Sequence, residues 1–350
     1  MKTLASILVT ILIGGSVATA NAAPVTLKMA TTAPDASAWV KGMRASAAQI
    51  KARTQGRVEI KYYVGGVQGS DQQVLRKITR SRSLSGGVFT PSAITSEYSD
   101  INLYSLPLTF ESEEEASYVR ERMDKKLVDG LNEAGFVSFG FASTGFAMVM
   151  SGEPVRGVAD LKGKKVWVPE GDQVSYDTMK ALSVSPQPLP ITDVLVGLQT
   201  KLIDIAPVSA PGALFLQWYT KVKYVTDIPL VYTFGFMLID KATFEKIAAA
   251  DQAIVNEVMS RMFAEFDEHS RKDNADAYAA LLNTGIKKIV PAQTEIDQLR
   301  KTMATSNRDL VRQGAVSEDL YDEMLGFIEE YRNRQNATEN AAAKNAVAAQ

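Results

Sequence analysis

Residues Lys241 to about Leu282 carry a single helical pattern. Phe244, Ile247, Ile254, Val258, Met262 and Phe266 recur along it at three-to-four spacing. A helix of ~40 residues is ~60 Å long at 1.5 Å per residue. That is longer than one small domain is wide, so the helix is expected to lie across two bodies. The chain length of 350 residues fits two lobes.

The chain before this helix alternates strands and helices. Pro24 to Ala30 reads as a first strand. A helix over Ser37 to Thr54 puts Val40, Met43, Ala47 and Ile50 on one face, and Gly56 stands just past its end. Val58, Ile60, Tyr62 and Val64 alternate as a second strand. After the turn Gly65 to Gly69, Ser70 and Gln73 form a capping box for a helix that buries Val74, Leu75 and Ile78. Leu84 to Thr90 is a third strand. This βαβαβ run implies a mostly parallel sheet with right-handed crossovers. Ser112 with Glu115 starts a further helix, where Glu113, Glu114 and Glu115 complement the helix dipole. Strands follow at Val137 to Ala142 and Met148 to Met150, and the β-rich segment Ile228 to Ile239 reads as a strand crossing back to the first lobe. Helices over Thr294 to Gln313 and Ser317 to Arg332 close the fold. The resulting division is 23–147 plus about 236–265 for lobe I, and 148–235 plus about 266–335 for lobe II. Residues 336–350 are Ala/Asn-rich with no apolar face and are expected to be disordered.

Several chemistries are excluded early. With 38 Lys+Arg against 40 Asp+Glu the net charge is −2, so no basic surplus points to nucleic acid. There is no cysteine, hence no thiolate nucleophile, no Cys-ligated metal and no lipid-anchored N-terminus. The single histidine, His269, sits in the charged run DEHSRKDN and reads as an exposed helical residue, leaving a triad without its base. No phosphate-binding or zinc-protease motif is present. No enzyme activity and no cofactor are expected. Residues 1–22 read as a signal peptide: Lys2, an apolar run Leu4 to Val17, and the cleavage site Ala20-Asn21-Ala22. That implies export, most simply to a bacterial periplasm. Two lobes, a crossing strand, a bridging helix and export point to a hinged protein that closes around a ligand at the strand ends.

The stretch Asp160 to Leu182, DLKGKKVWVPEGDQVSYDTMKAL, is the most informative for the site. A short strand, Lys164 to Val168, puts Val166 and Val168 on one face and Trp167 on the other. It ends at Pro169, and a helix begins near Gln173.

Several segments together resemble one family, the extracytoplasmic solute-binding subunits of tripartite ATP-independent periplasmic (TRAP) transporters of the dicarboxylate-binding type. They are TQGRVEIKYY, GGVQGSDQQVL, LPLTFESEEEA, VADLKGKKVWVPEGD and DVLVGLQTKLIDIAP, spread over roughly residues 25 to 332. The resemblance implies an α/β, periplasmic binding protein-like fold of two α/β lobes, joined by crossing strands and a long bridging helix. It also implies delivery of a small organic solute to membrane permease subunits.

The departures concern the ligand. The family's DLKGLKIRVP carries an arginine that clamps a carboxylate; the residue here is Trp167. The family's QENP asparagine falls near Val208, and a second arginine falls at Phe146 or Ala147. Without this clamp the expected pocket is apolar or aromatic, with Trp167 facing the cleft among Phe89, Phe146, Tyr232 and Phe234. Such a wall suits an apolar or aromatic solute, or a cation over the Trp167 face with Glu170 or Asp172 as counter-charge. Further cleft candidates by alignment are Thr32, Trp39, Gln68, Asp71, Thr90, Asp172, Gln173 and Ser209. The alternatives are an organic acid held by another arginine (Arg44, Arg57, Arg76, Arg80 or Arg82) or by backbone donors, and a ligand sensor or scaffold without transport.

Overall fold

The computed structural model describes residues 23–348; the expected signal peptide, 1–22, lies outside them. The first lobe contains β1 (Val25–Ala30), α1 (Ala38–Arg53), β2 (Val58–Tyr63), α2 (Asp71–Thr79), β3 (Gly86–Phe89), α3 (Glu113–Glu133) and β4 (Phe136–Val137). β1 runs parallel to both β2 and β3. β5 (Phe141–Ser151) leaves this lobe for the second, which holds β6 (Lys165–Pro169), α4 (Gln173–Ala181), β7 (Ser185–Leu189), α5 (Val194–Gln199), β8 (Ile205–Val208) and α6 (Ala210–Phe215). β9 (Tyr224–Asp240) returns. α7 (Lys241–Phe244), α8 (Ala249–Asn283), β10 (Lys287–Ile289), α9 (Gln293–Arg312) and α10 (Glu318–Ala348) complete the chain.

β5 and β9 pair antiparallel along most of their length and carry the sheet through both lobes, in the order β2-β1-β3-β9-β5-β8-β6-β7. Between the lobes the pairing slips twice, at Ser143/Gly145 and at Ala147/Val149. Bulges of this kind bend and twist a strand. Gly145 takes φ +83° there, and a β-carbon on it would stand 2.6 Å from the amide carbon of Asn274. Tight glycines also set the strand spacing in lobe I. A β-carbon on Gly86 would meet the Leu238 carbonyl of β9 and the Met29 side chain of β1. Gly86→Ala is expected to destabilise by about 1–3 kcal/mol, read by urea denaturation. A loss below ~0.5 kcal/mol would contradict this spacing.

The bridging helix is real but shorter than its pattern. The helix is interrupted between Phe244 and Ala249, where Phe244 and Ile247 both turn into the core, and the Gln252 side chain donates to the Ile247 carbonyl (2.7 Å). α8 packs Val255, Val258, Met259, Met262 and Phe263 on the first lobe, and Leu281 on the core of the second beside Trp218.

Two expectations about the C-terminus are corrected. Leu310 and Val311 of α9, with Tyr321, Met324 and Ile328 of α10, join the core that contains Val119 and Met123 of α3. Lys126 pairs with Glu323 (2.6 Å) and Arg332 with the buried Glu115 (2.6 Å). The end of the chain thus packs on the first lobe, although its residues up to 335 were assigned to lobe II. α10 also continues to Ala348, where disorder was expected. An apolar face is needed for packing, not for helicity, and alanine has the strongest helix propensity.

Candidate functional site

In a sheet of this kind a ligand sits outside the carboxyl ends of parallel strands. β1, β2 and β3 end in the segments 31–37, 64–71 and 90–93; β6, β7 and β8 end in 169–173, 189–193 and 208–212. These two sets of loops face each other and touch. A β-carbon on Gly66 would stand 3.2 Å from Thr192 Cγ2, and one on Gly171 would stand 2.5 Å from Gln72 Nε2. Val174, in the first turn of α4, joins the core of the first lobe. The two lobes are closed on each other.

The charge of the seam is one-sided. The six segments hold Asp35, Asp71, Glu170, Asp172 and Asp193, and not one lysine or arginine. Asp35 is paired with Arg44 of α1 (2.5 Å). Asp172 caps α4, accepting from Ser175 N (2.9 Å) and Ser175 Oγ (2.7 Å). Burial raises its pKa, and the two bonds from Ser175 offset part of that rise. Asp71 lies in the first turn of α2, half-buried, with Ser70 as the N-cap in a complete capping box with Gln73. Burial, and then the charge of Glu170 on the opposite lobe, push the Asp71 carboxyl up to about 7. The positive ends of α2 and α4 are therefore met by the protein's own carboxylates.

The aromatic wall expected from the sequence is largely core. Trp167 does lie on the opposite sheet face from Val166 and Val168, which pack in a separate cluster. It is only 6% exposed, packs edge-on to Trp218 (ring centroids 5.1 Å apart), and donates its indole N–H to the Leu189 carbonyl (2.9 Å). The reading that Trp167 opens its face to the cleft is corrected: α5 and α6 cover that face of the sheet. Phe89, Tyr232 and Phe234 are likewise buried, in one cluster with Tyr104 and Phe110. Phe146 keeps partial exposure, edge-on to Tyr232 (5.4 Å). Trp39 lies between α1 and α8, against Phe266 (4.8 Å) and Phe263 (6.0 Å).

The polar candidates divide in the same way. Gln68 accepts from Lys77 Nζ through its side chain (2.9 Å) and its carbonyl (2.8 Å), which also fixes that lysine within lobe I. Gln173 is exposed and donates to Asp177 (2.8 Å). Thr32 is half-buried and Thr90 exposed, each beyond the end of its strand. Val208 and Ser209 are buried at the β8–α6 junction, where the Ser209 hydroxyl makes no bond to the first turn of its helix. Gln72, Gly66, Gly171 and Thr192 belong to the seam and were not singled out from the sequence. Their signal was positional: all lie in or just after loops at strand ends.

Beneath the cleft a buried charge network holds the crossing strands. Arg120 of α3, 4% exposed, donates to Asp267 of α8 (2.7 Å), Asp124 (2.8 Å), the Tyr232 hydroxyl (2.9 Å) and the Phe141 carbonyl (3.0 Å). Asp267 also accepts from Ser143 N on β5 (2.8 Å).

Comparison with known proteins gives one consistent result. The profile of the family described as bacterial extracellular solute-binding protein, family 7, matches residues 29–313. A solute-binding protein of Chromohalobacter salexigens is 22% identical over 265 residues, 74% of this chain and 75% of that protein. Among solved structures, the sugar acid binding protein of Advenella mimigardefordensis in complex with galactonate superposes with TM-score 0.81 at 21% identity, covering 88% of this chain and 99% of that one. A TRAP periplasmic solute-binding protein of Haemophilus influenzae with bound L-gulonate gives TM-score 0.80 at 19% identity, covering 87% and 99%.

Proposed function

The chain belongs to family 7 of the bacterial extracellular solute-binding proteins, and from that premise we propose that it captures a neutral or cationic solute between its lobes. It releases that solute, in the periplasm, to the membrane subunits of a TRAP-type importer. It is a receptor and performs no chemistry on its ligand.

One observation carries the choice of ligand class: the closing loops contain acids and no lysine or arginine. A carboxylate enclosed there would lack a cation, at a cost of several kcal/mol. A ligand of millimolar to micromolar affinity gains only ~4–8 kcal/mol in all. The alternative arginines do not supply the missing charge. Arg44 is paired with Asp35, and Arg57 is forked onto Asp251 (2.8 and 2.9 Å). Arg76, Arg80 and Arg82 are exposed toward and beyond the C-terminal end of α2, whose N-terminal end is the one at the seam.

The competing reading is a sugar acid, favoured by the galactonate and gulonate in the two structural neighbours. A thermal-shift panel separates the readings. A ligand at a hundred times its Kd stabilises the native state by about 2.7 kcal/mol, a readable rise in Tm. Neutral polyols and sugars or quaternary amines are expected to give that rise, and galactonate, gulonate and succinate are not. A panel in which only the acids raise Tm overturns the proposal.

A further inference from the structure

Asp71 and Glu170 come from different lobes. Asp71 opens α2 and Glu170 follows β6; closure brings them to one seam, with Gln72 resting over Gly171 beside them. Apart from the positive end of α2, the surrounding side chains provide no counter-charge. From α2, Arg76 is exposed and Lys77 is held by Gln68. From the turn before α2 come Gln68 and Ser70, and the segment 90–93 contains no charged residue. From lobe II, Asp172 is engaged with Ser175, and Asp193 is exposed and acidic.

We propose that closing the lobes takes up a proton on Asp71, at the seam beside Glu170 of the other lobe, so that the seam is a pH-sensitive latch. With the lobes apart, the Asp71 carboxyl is hydrated and ionises in the ordinary range. Closure strips water from Asp71 and sets Glu170 against it, which favours the neutral acid, and the Asp71 carboxyl stands at about 7. The sign follows. Above pH 7 Asp71 is ionised in both states and closure bears the whole repulsion. As the pH falls below 7 the closed form holds a proton that the open form does not, so closure is favoured by about tenfold per pH unit until the open form also protonates.

The latch rests on the closure assumed for the proposed function, but not on the ligand, so a test without ligand separates the two. The chain has no cysteine, and Val67 and Val196 are 72% and 59% exposed on opposite lobes. The Val67→Cys, Val196→Cys protein, labelled with a donor and an acceptor fluorophore, reports the closed fraction directly. The closed-to-open ratio is expected to rise by about a hundredfold from pH 8 to pH 5. Asp71→Asn in that background should flatten the profile, and Glu170→Gln should move its midpoint to lower pH. A ratio that stays flat from pH 8 to pH 5, or an Asp71→Asn protein that keeps the native profile, overturns the latch.

Discussion

Arg120→Ala is expected to cost about 3–5 kcal/mol, because it strands two carboxylates rather than one contact. The guanidinium is buried and bonds to Asp124, Asp267, Tyr232 and the Phe141 carbonyl. Burial already holds the Asp124 carboxyl above the usual range, in spite of the arginine beside it. Removing that arginine leaves Asp124 and Asp267 facing each other with no cation between them, while Asp267 still holds the Ser143 amide of β5. Lysine would keep the charge but not the fork that reaches four partners. Urea denaturation checks this, and Asp267→Asn in the Arg120→Ala background should recover part of the loss. A loss under ~1 kcal/mol, within the range of an exposed ion pair, would mean that the network does not hold the crossing strands.

Trp167→Ala is the second large effect, and it falls on stability. A buried tryptophan replaced by alanine costs about 3–5 kcal/mol; here the change also takes the indole N–H from the Leu189 carbonyl, which keeps only its bond from Glu170 N, and leaves Trp218 without its edge-on partner. Trp167→Arg makes the sharper case. An arginine at 167 would restore the family's carboxylate clamp only if the site had room for it. The site is filled by Trp218, Val194, Leu198 and Val208, so the arginine would be a buried charge without a partner. The expected result is loss of folded protein without any gain in carboxylate affinity. A well-folded Trp167→Arg protein that binds a carboxylate more tightly than the native chain would return Trp167 to the cleft.

Much of the architecture was legible because it rests on local patterns. The βαβαβ run, the Ser70–Gln73 capping box and the face of Trp167 all follow from periodicities of 2 and 3.6 or from fixed offsets. The helix that spans both lobes was legible from its length. The depth of a side chain was not. In a sheet covered by helices on both sides, an aromatic on either face is buried by default. Trp167, Tyr232 and Phe234 followed that rule. The partner of Trp167 is Trp218, fifty-one positions later in the chain, and no local pattern links them. The same holds for α10, whose helix over Ser317 to Arg332 was expected but whose docking on α3 is a long-range choice. The acidic seam, by contrast, was in the sequence throughout. It needed only the strand ends to be located before its missing cations could be noticed.

Calorimetric titration with galactonate at pH 6, where closure of the lobes is not opposed by repulsion at the seam, tests the central claim most directly, because that sugar acid is the ligand of a close structural neighbour. An arginine-free, acid-lined cleft predicts no saturable heat up to about 1 mM, less than ~4 kcal/mol of binding. A dissociation constant near 1 µM, about 8 kcal/mol, would contradict it.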